Sequence, residues 1–159
     1  MVPWSAPVRA AIIAGTNPFI PITESEFDLE LSLLFVTPPT IAPEVKKAKV
    51  EDYVSNNRRY QQIWNIVNLD DQLLQDKTPL QPLPLLTIWG EADQIYDLKA
   101  AQSLTTPLKN GQWVTLARAG HLLLLENSAE TAPIYANFLK GYSGRGLSLS
   151  KTDKLVKPR

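Results

Sequence analysis

The sequence predicts an α/β layer whose strand pattern is interrupted, after the first strand, by a run of inserted helices. Three observations carry this expectation. Two short apolar runs, Leu85–Trp89 and Gln112–Leu116, lie next to glycines and are too short for stable helices. A longer stretch from Glu24 to about Val67 has apolar residues at helical rather than alternating spacing. Capped amphipathic segments follow each of the two runs.

Val8–Ala14 is short, mostly apolar and closed by Gly15-Thr-Asn-Pro, and it reads as a buried first strand, with a helix fragment as the alternative. Thr23-x-x-Glu26 is a capping box: a threonine hydroxyl and a glutamate three residues on satisfy free N–H groups at a helix start. Phe27, Leu31, Leu34 and Phe35 then supply an apolar stripe, so Glu24–Phe35 is expected to be helical, with Pro38-Pro39 as its stop. Pro43 suits the first turn of another helix, where its missing N–H costs nothing. Val45, Ala48, Tyr53 and Val54 form its loose stripe. Asn56-Asn57 marks a break before Tyr60, Ile63, Trp64 and Val67 resume one, and the proline-rich Gln75–Pro84 is a connector.

Asp97 is placed to cap a helix over Leu98–Leu104, and Ser128 to cap one over Ala129–Leu139. The expected inner face of the latter is Ala132, Tyr135, Ala136, Phe138 and Leu139, with Pro133 near its first turn. Four regions result: 1–19, a strand and its connection; 20–78, a helical insertion; 79–141, the part carrying the chemistry; and 142–159, a tail expected to be disordered.

The bulk composition excludes several function classes. Sixteen basic and sixteen acidic side chains cancel over 159 residues, which gives no field for nucleic acid. The tail alone is basic, with Arg145, Lys151, Lys154, Lys157 and Arg159 against Asp153. Without cysteine there is no disulfide, thiolate nucleophile or thiolate metal site. One histidine with scattered carboxylates makes a poor catalytic zinc site, and no phosphate-binding glycine loop is present, so no cofactor is expected. The N-terminus lacks a signal-peptide layout and no run is long enough to span a bilayer, so a cytoplasmic location is expected.

The chemistry concentrates where the two clear strands end. Ile88-Trp89-Gly90-Glu91-Ala92-Asp93 and Leu116-Ala117-Arg118-Ala119-Gly120-His121 put an acid and the single histidine just past successive strand ends. In a parallel sheet these ends open into the crevice where reactive groups collect. Asp93 is the favoured acid. Glu91 comes two residues early, and Asp97 suits capping.

Pro84-Leu-Leu-Thr-Ile-Trp-Gly-Glu-Ala-Asp-Gln-Ile, Gly120-His-Leu-Leu-Leu-Leu-Glu and the later Tyr-Ala-Asn-Phe-Leu together resemble the C-terminal third of the α/β-hydrolase fold. The resemblance covers about Leu83–Gly141 closely and Val8–Val67 more loosely. It implies about three parallel strands with flanking helices and the helices from Glu24 onward as a lid. It also implies esterase- or lipase-like chemistry, with His121 as general base and Asp93 as the acid that orients it. Phe27, Leu34, Phe35, Tyr60 and Trp64 are then candidates to line an apolar substrate pocket. Glu126 matches the family's acidic residue after the histidine, and its simpler reading is support of the last helix's N-terminus through the dipole.

The family's nucleophile elbow, Gly-x-Ser-x-Gly, has no counterpart here. The nearest string, Gly141-Tyr-Ser-Gly-Arg, has its second glycine one position early and follows a helix. The chain therefore reads as the C-terminal half of a longer hydrolase, whether split, truncated or a gene remnant. It is expected to be inactive alone and to leave an edge of Val8–Ala14 bare for a partner carrying the other half. The parent chemistry stays open among ester, carbon–carbon and carbon–halogen hydrolysis, since the elbow separates them. The competing reading is a non-catalytic interaction or assembly protein built from the same half-fold.

Overall fold

A computed structural model describes residues 4–69, 84–105 and 111–143. Four helices come first: α1 (Ala6–Ile13), α2 (Glu24–Leu34), α3 (Pro43–Ser55) and α4 (Asn57–Leu69). The strand β1 (Leu85–Gly90), helix α5 (Leu98–Thr105) and strand β2 (Gly111–Leu116) form the crossover unit. A single turn, α6 (Leu123–Glu126), and the terminal α7 (Ser128–Ser143) complete the order. The strands pair in parallel, in register from Leu85 opposite Gly111 to Gly90 opposite Leu116. Among the described residues no helix is long and apolar enough to cross a membrane. Residues 75–83 of the expected connector and 144–159 of the expected tail lie outside the described residues, while 142 and 143, assigned to a disordered tail, are the last residues of α7.

The first expectation to fail is the strand over Val8–Ala14, and with it the third strand and its bare edge. Among the described residues the sheet has two strands, and this segment is the helix α1. The deciding signals lie just upstream of the apolar run. The Ser5 hydroxyl accepts the Val8 N–H at 3.3 Å, and Pro7 occupies the first turn. Four alanines across Ala6–Ala14 then favour helix over pleat. Only Val8 of α1 is buried, so the alternation of a half-buried strand never arises.

α2 forms where the capping box predicts. Thr23 Oγ1 accepts the Glu26 N–H at 3.2 Å, while the Glu26 carboxylate accepts the Ile22 N–H at 2.7 Å. It ends at Leu34, because Phe35 is already extended, three residues before Pro38. Its inner face is Phe27, Glu30 and Leu33 rather than the Phe27–Leu31–Leu34 stripe. Glu30 is buried because Tyr53 of α3 reaches it, its hydroxyl donating to the carboxylate at 3.3 Å. Lys46 and Asp28 join the same two helices at their surface, 2.5 Å apart. Asn56 breaks α3 from α4 as expected, its side-chain amide donating to the Asp52 carbonyl and carboxylate.

α7 starts at Ser128, one residue ahead of the predicted start, and Asn127 is the residue that caps it. The Asn127 carbonyl accepts the Glu130 and Thr131 N–H groups. Thr131 is buried, while Ala132, Tyr135 and Leu139 of the predicted inner face are exposed.

The core lies beneath the acid-bearing loop. Val8 of α1, Leu33 of α2 and Ile95 form one buried cluster, with Trp4, Phe19, Leu29, Leu34 and Tyr96 packed around it. The Ser5 N–H donates to the Ile95 carbonyl at 2.9 Å and its hydroxyl to the Gln94 carbonyl. Gln94 in turn donates to the Ser32 carbonyl. The loop after β1 is thus fastened to α1 and α2 by both burial and hydrogen bonds.

Two tests follow from this packing. Ser5→Ala removes a cap and a buried hydrogen bond together, and it is expected to lower stability by about 1–2 kcal/mol in urea unfolding. Burial pushes the Glu30 carboxyl above its ordinary range, with the Tyr53 hydrogen bond opposing more weakly. Tyr53 itself is pushed up to about 12, first by burial and then by the Glu30 charge. With its affinity raised on folding, Glu30 binds more protons in the folded state, so its contribution is full in acid and falls as pH rises through the folded value. Glu30→Gln is expected to gain melting temperature relative to the parent as pH rises from about 4, the ordinary glutamate value, through the raised folded one; a constant difference would contradict this.

Candidate functional site

β1 and β2 stop side by side, and their loops interlock immediately. The Glu91 N–H donates to the Leu116 carbonyl at 3.0 Å and the Ala92 N–H to the Ala119 carbonyl at 3.1 Å. Gly90 lets the loops pass this closely, since a Cβ there would collide with the Ala119 and Gly120 carbonyls. Asp93 closes a turn back on Gly90. Chain direction and register, set by the sheet, therefore fix the separation of the two loops.

Within this frame Asp93 Oδ2 stands 3.1 Å from His121 Nδ1. The other carboxylate oxygen accepts the Ile95 N–H at 2.8 Å and the Tyr96 N–H at 3.2 Å. The Asp93 side chain is 5% exposed and that of His121 31%. A buried carboxylate with three donors is held in one orientation, and its second oxygen holds the imidazole. Nε2 of the ring makes no hydrogen bond to a described residue, so the ring offers that nitrogen for proton exchange.

The alternative acids are committed elsewhere. Glu91 accepts the Thr115 hydroxyl at 2.8 Å on the surface, and Asp97 caps α5 by accepting the Lys99 N–H at 2.9 Å. Glu126 is a correction: its carboxylate does not serve the α7 N-terminus. One oxygen accepts the Gly120 N–H at 2.8 Å, and the other accepts the Val36 and Thr37 N–H groups at 2.6 and 3.1 Å. Its signal in the sequence is the five-residue spacing from His121, which one helical turn folds back over Gly120.

Tyr96, which sequence reasoning passed over, has its ring 5.9 Å from that of His121 and stacked at 5.0 Å on Trp4. Burial raises its phenol affinity for the proton, and the Asp93 charge adds to this. Trp4 continues to Phe19 and Trp64, so aromatic rings run from the histidine to α4. Of the five expected pocket residues, Trp64 lines an open cleft of about 380 Å³ together with Ile12, Ile20, Ile22 and Gln61. Phe27, Leu34, Phe35 and Tyr60 are not part of that cleft. Phe27 is buried in α2, the Leu34 carbonyl accepts the Leu122 N–H, and the Tyr60 hydroxyl donates to Asp52. Ser143, the serine of the nearest elbow-like string, is the last residue of α7 and not on a strand–helix turn.

No family model matches the chain. It is 27% identical over 124 residues to monoacylglycerol lipase ABHD6 of Mus musculus, covering 77% of this chain and 37% of that protein. It is 23% identical over 139 residues to Lipase 1 of Psychrobacter immobilis, covering 85% and 44%. The chain thus spans less than half the length of either lipase. Among solved structures it resembles a bacterial membrane phospholipase A at TM-score 0.69 and 26% identity, covering 91% of this chain and 47% of that one. The fold also matches 2-hydroxy-6-oxo-6-phenylhexa-2,4-dienoate hydrolase of Rhodococcus sp. strain RHA1, at TM-score 0.65 and 19% identity, covering 88% and 51%.

The crowding around Gly120 gives the site's own test. A Cβ there would lie 2.9 Å from Glu126 Oε2 and 3.0 Å from the Leu34 carbonyl. Gly120→Ala is expected to cost about 1–3 kcal/mol in urea unfolding. A neutral substitution would show that the loop is not held as described.

Proposed function

We propose, from this chain's relationship to the α/β-hydrolase superfamily, that it supplies the base and acid of a carboxylic-ester hydrolase. The observation that carries the reading is the 3.1 Å approach of Asp93 Oδ2 to His121 Nδ1 past two parallel strand ends. Relatives named as a monoacylglycerol lipase and a lipase support an ester of an apolar acyl group as substrate.

In this reaction a serine hydroxyl, supplied from outside the motifs of this chain, attacks the ester carbonyl carbon as His121 Nε2 takes its proton. The tetrahedral intermediate collapses, and the imidazolium returns the proton to the departing alkoxide. Water then repeats the cycle on the acyl-enzyme. Asp93 keeps the Nδ1 proton in place throughout and stabilises the imidazolium. In this reading 20–78 is a lid, and Trp64, at the far end of the aromatic run from His121, contributes apolar surface over the substrate. The exposed Ile13 and Ile66, at 86% and 67%, favour a further chain or segment packing against α1 and α4.

By itself the chain is expected to turn over no short p-nitrophenyl ester, since its sequence holds no Gly-x-Ser-x-Gly elbow to supply the nucleophile and an oxyanion donor. A single such donor is worth roughly 3–4 kcal/mol. Mixed with a fragment bearing the strand, Gly-x-Ser-x-Gly and helix of a lipase relative, it should gain esterase activity that His121→Ala and Asp93→Ala abolish. Activity that survives His121→Ala would overturn the assignment, and a stable complex that never hydrolyses esters would favour an assembly role.

A further inference from the structure

We propose that Glu126 is a positioning residue that fastens the histidine loop to the C-terminal end of α2, so that the setting of His121 depends on where that helix end lies. The inference deepens the reading of His121 as a general base and rests on it.

The N–H groups on both sides of His121 are committed to this junction. Gly120 donates to Glu126 Oε2 at 2.8 Å, and Leu122 donates to the Leu34 carbonyl at 3.0 Å. The opposite oxygen, Oε1, accepts the Val36 and Thr37 N–H groups from the bend that follows α2, about 90 positions earlier in the chain. One carboxylate therefore closes a bridge between two segments that no sheet hydrogen bond joins. α6 makes this possible: its single turn, with the Leu125 and Glu126 N–H groups returning to the Leu122 carbonyl, folds Glu126 back over Gly120. Gly120 leaves the carboxylate no slack, since even a Cβ would crowd it.

The chemistry calls for a carboxylate. Three N–H donors converge on two oxygens, and bonds to a charged acceptor are roughly twice as strong as neutral ones. An amide has one accepting oxygen and would aim its NH₂ at N–H donors, so Glu126→Gln keeps the shape but loses one end of the bridge. A shift of the α2 exit would pull on Gly120 and Leu122 and thus on the ring between them. Glu126 itself touches no reacting atom.

The readout is the imidazole, which is unambiguous because the chain has one histidine. ¹⁵N–¹H NMR of the full chain is expected to show a protonated, slowly exchanging Nδ1 in the parent protein. Glu126→Gln is expected to lose that signal or average it between tautomers while the helical circular dichroism is kept. Val36→Pro removes a donor from the far end of the bridge, and Phe35 is already in the extended conformation a following proline requires. It is expected to give the same loss, and it decides the matter if Glu126→Gln fails to fold. Leu124→Ala, an exposed position in the same turn, should leave the signal intact. An unchanged Nδ1 signal in folded Glu126→Gln or Val36→Pro would overturn the clamp alone. Its absence from the parent protein would instead overturn the pairing of His121 with Asp93.

Discussion

The structure turns on a buried negative charge. The Asp93 carboxylate is nearly removed from water, and a lone ion there would cost several kcal/mol. Two backbone N–H groups and an imidazole offset that cost, and each fixes something else. The Ile95 and Tyr96 donors hold the acid loop in a single shape. That shape drives Ile95 into the cluster with Val8 and Leu33. Core and candidate site are therefore one construction, and perturbing either should reach the other.

The imidazole partner is brought in by the sheet. β1 and β2 run parallel and end level, so their loops emerge on the same side. Gly90 then lets the two backbones cross without a side chain between them. Glu126 and the Leu34 carbonyl hold the histidine loop from its other side, against α2. An acid–base pair needs this rigidity, because proton transfer tolerates little error in distance or direction. The proposed ester hydrolysis rests on this held Nδ1, on an Nε2 that meets no described residue, and on likeness to lipases.

What the sequence revealed and what it hid divide along the range of the forces involved. β1, β2, the Thr23 capping box, the Asp97 cap and the Asn56 break each depend on residues within a few positions, and all were legible. So were the two loops, because glycines mark the strand ends and the acid and histidine follow them. Val8–Ala14 misled because a short apolar run fits strand or buried helix equally, and Ser5 with Pro7 settled it from just upstream. Glu30 as an inner residue of α2 was invisible without Tyr53, which lies 23 positions away. Glu126 looked like a helix-terminus charge because its true partners, Val36 and Thr37, are contributed by a distant turn. Long-range polar contacts leave no local period to read.

The most direct test of the acid–base pair is a double-mutant cycle, measured by urea unfolding of the parent protein, Asp93→Asn, His121→Gln and the double variant. Side chains in contact inside a low-dielectric setting should show a coupling of at least about 1 kcal/mol. Single effects that add to within about 0.3–0.5 kcal/mol would mean the two groups do not interact. The chain would then hold no preformed base for any hydrolase.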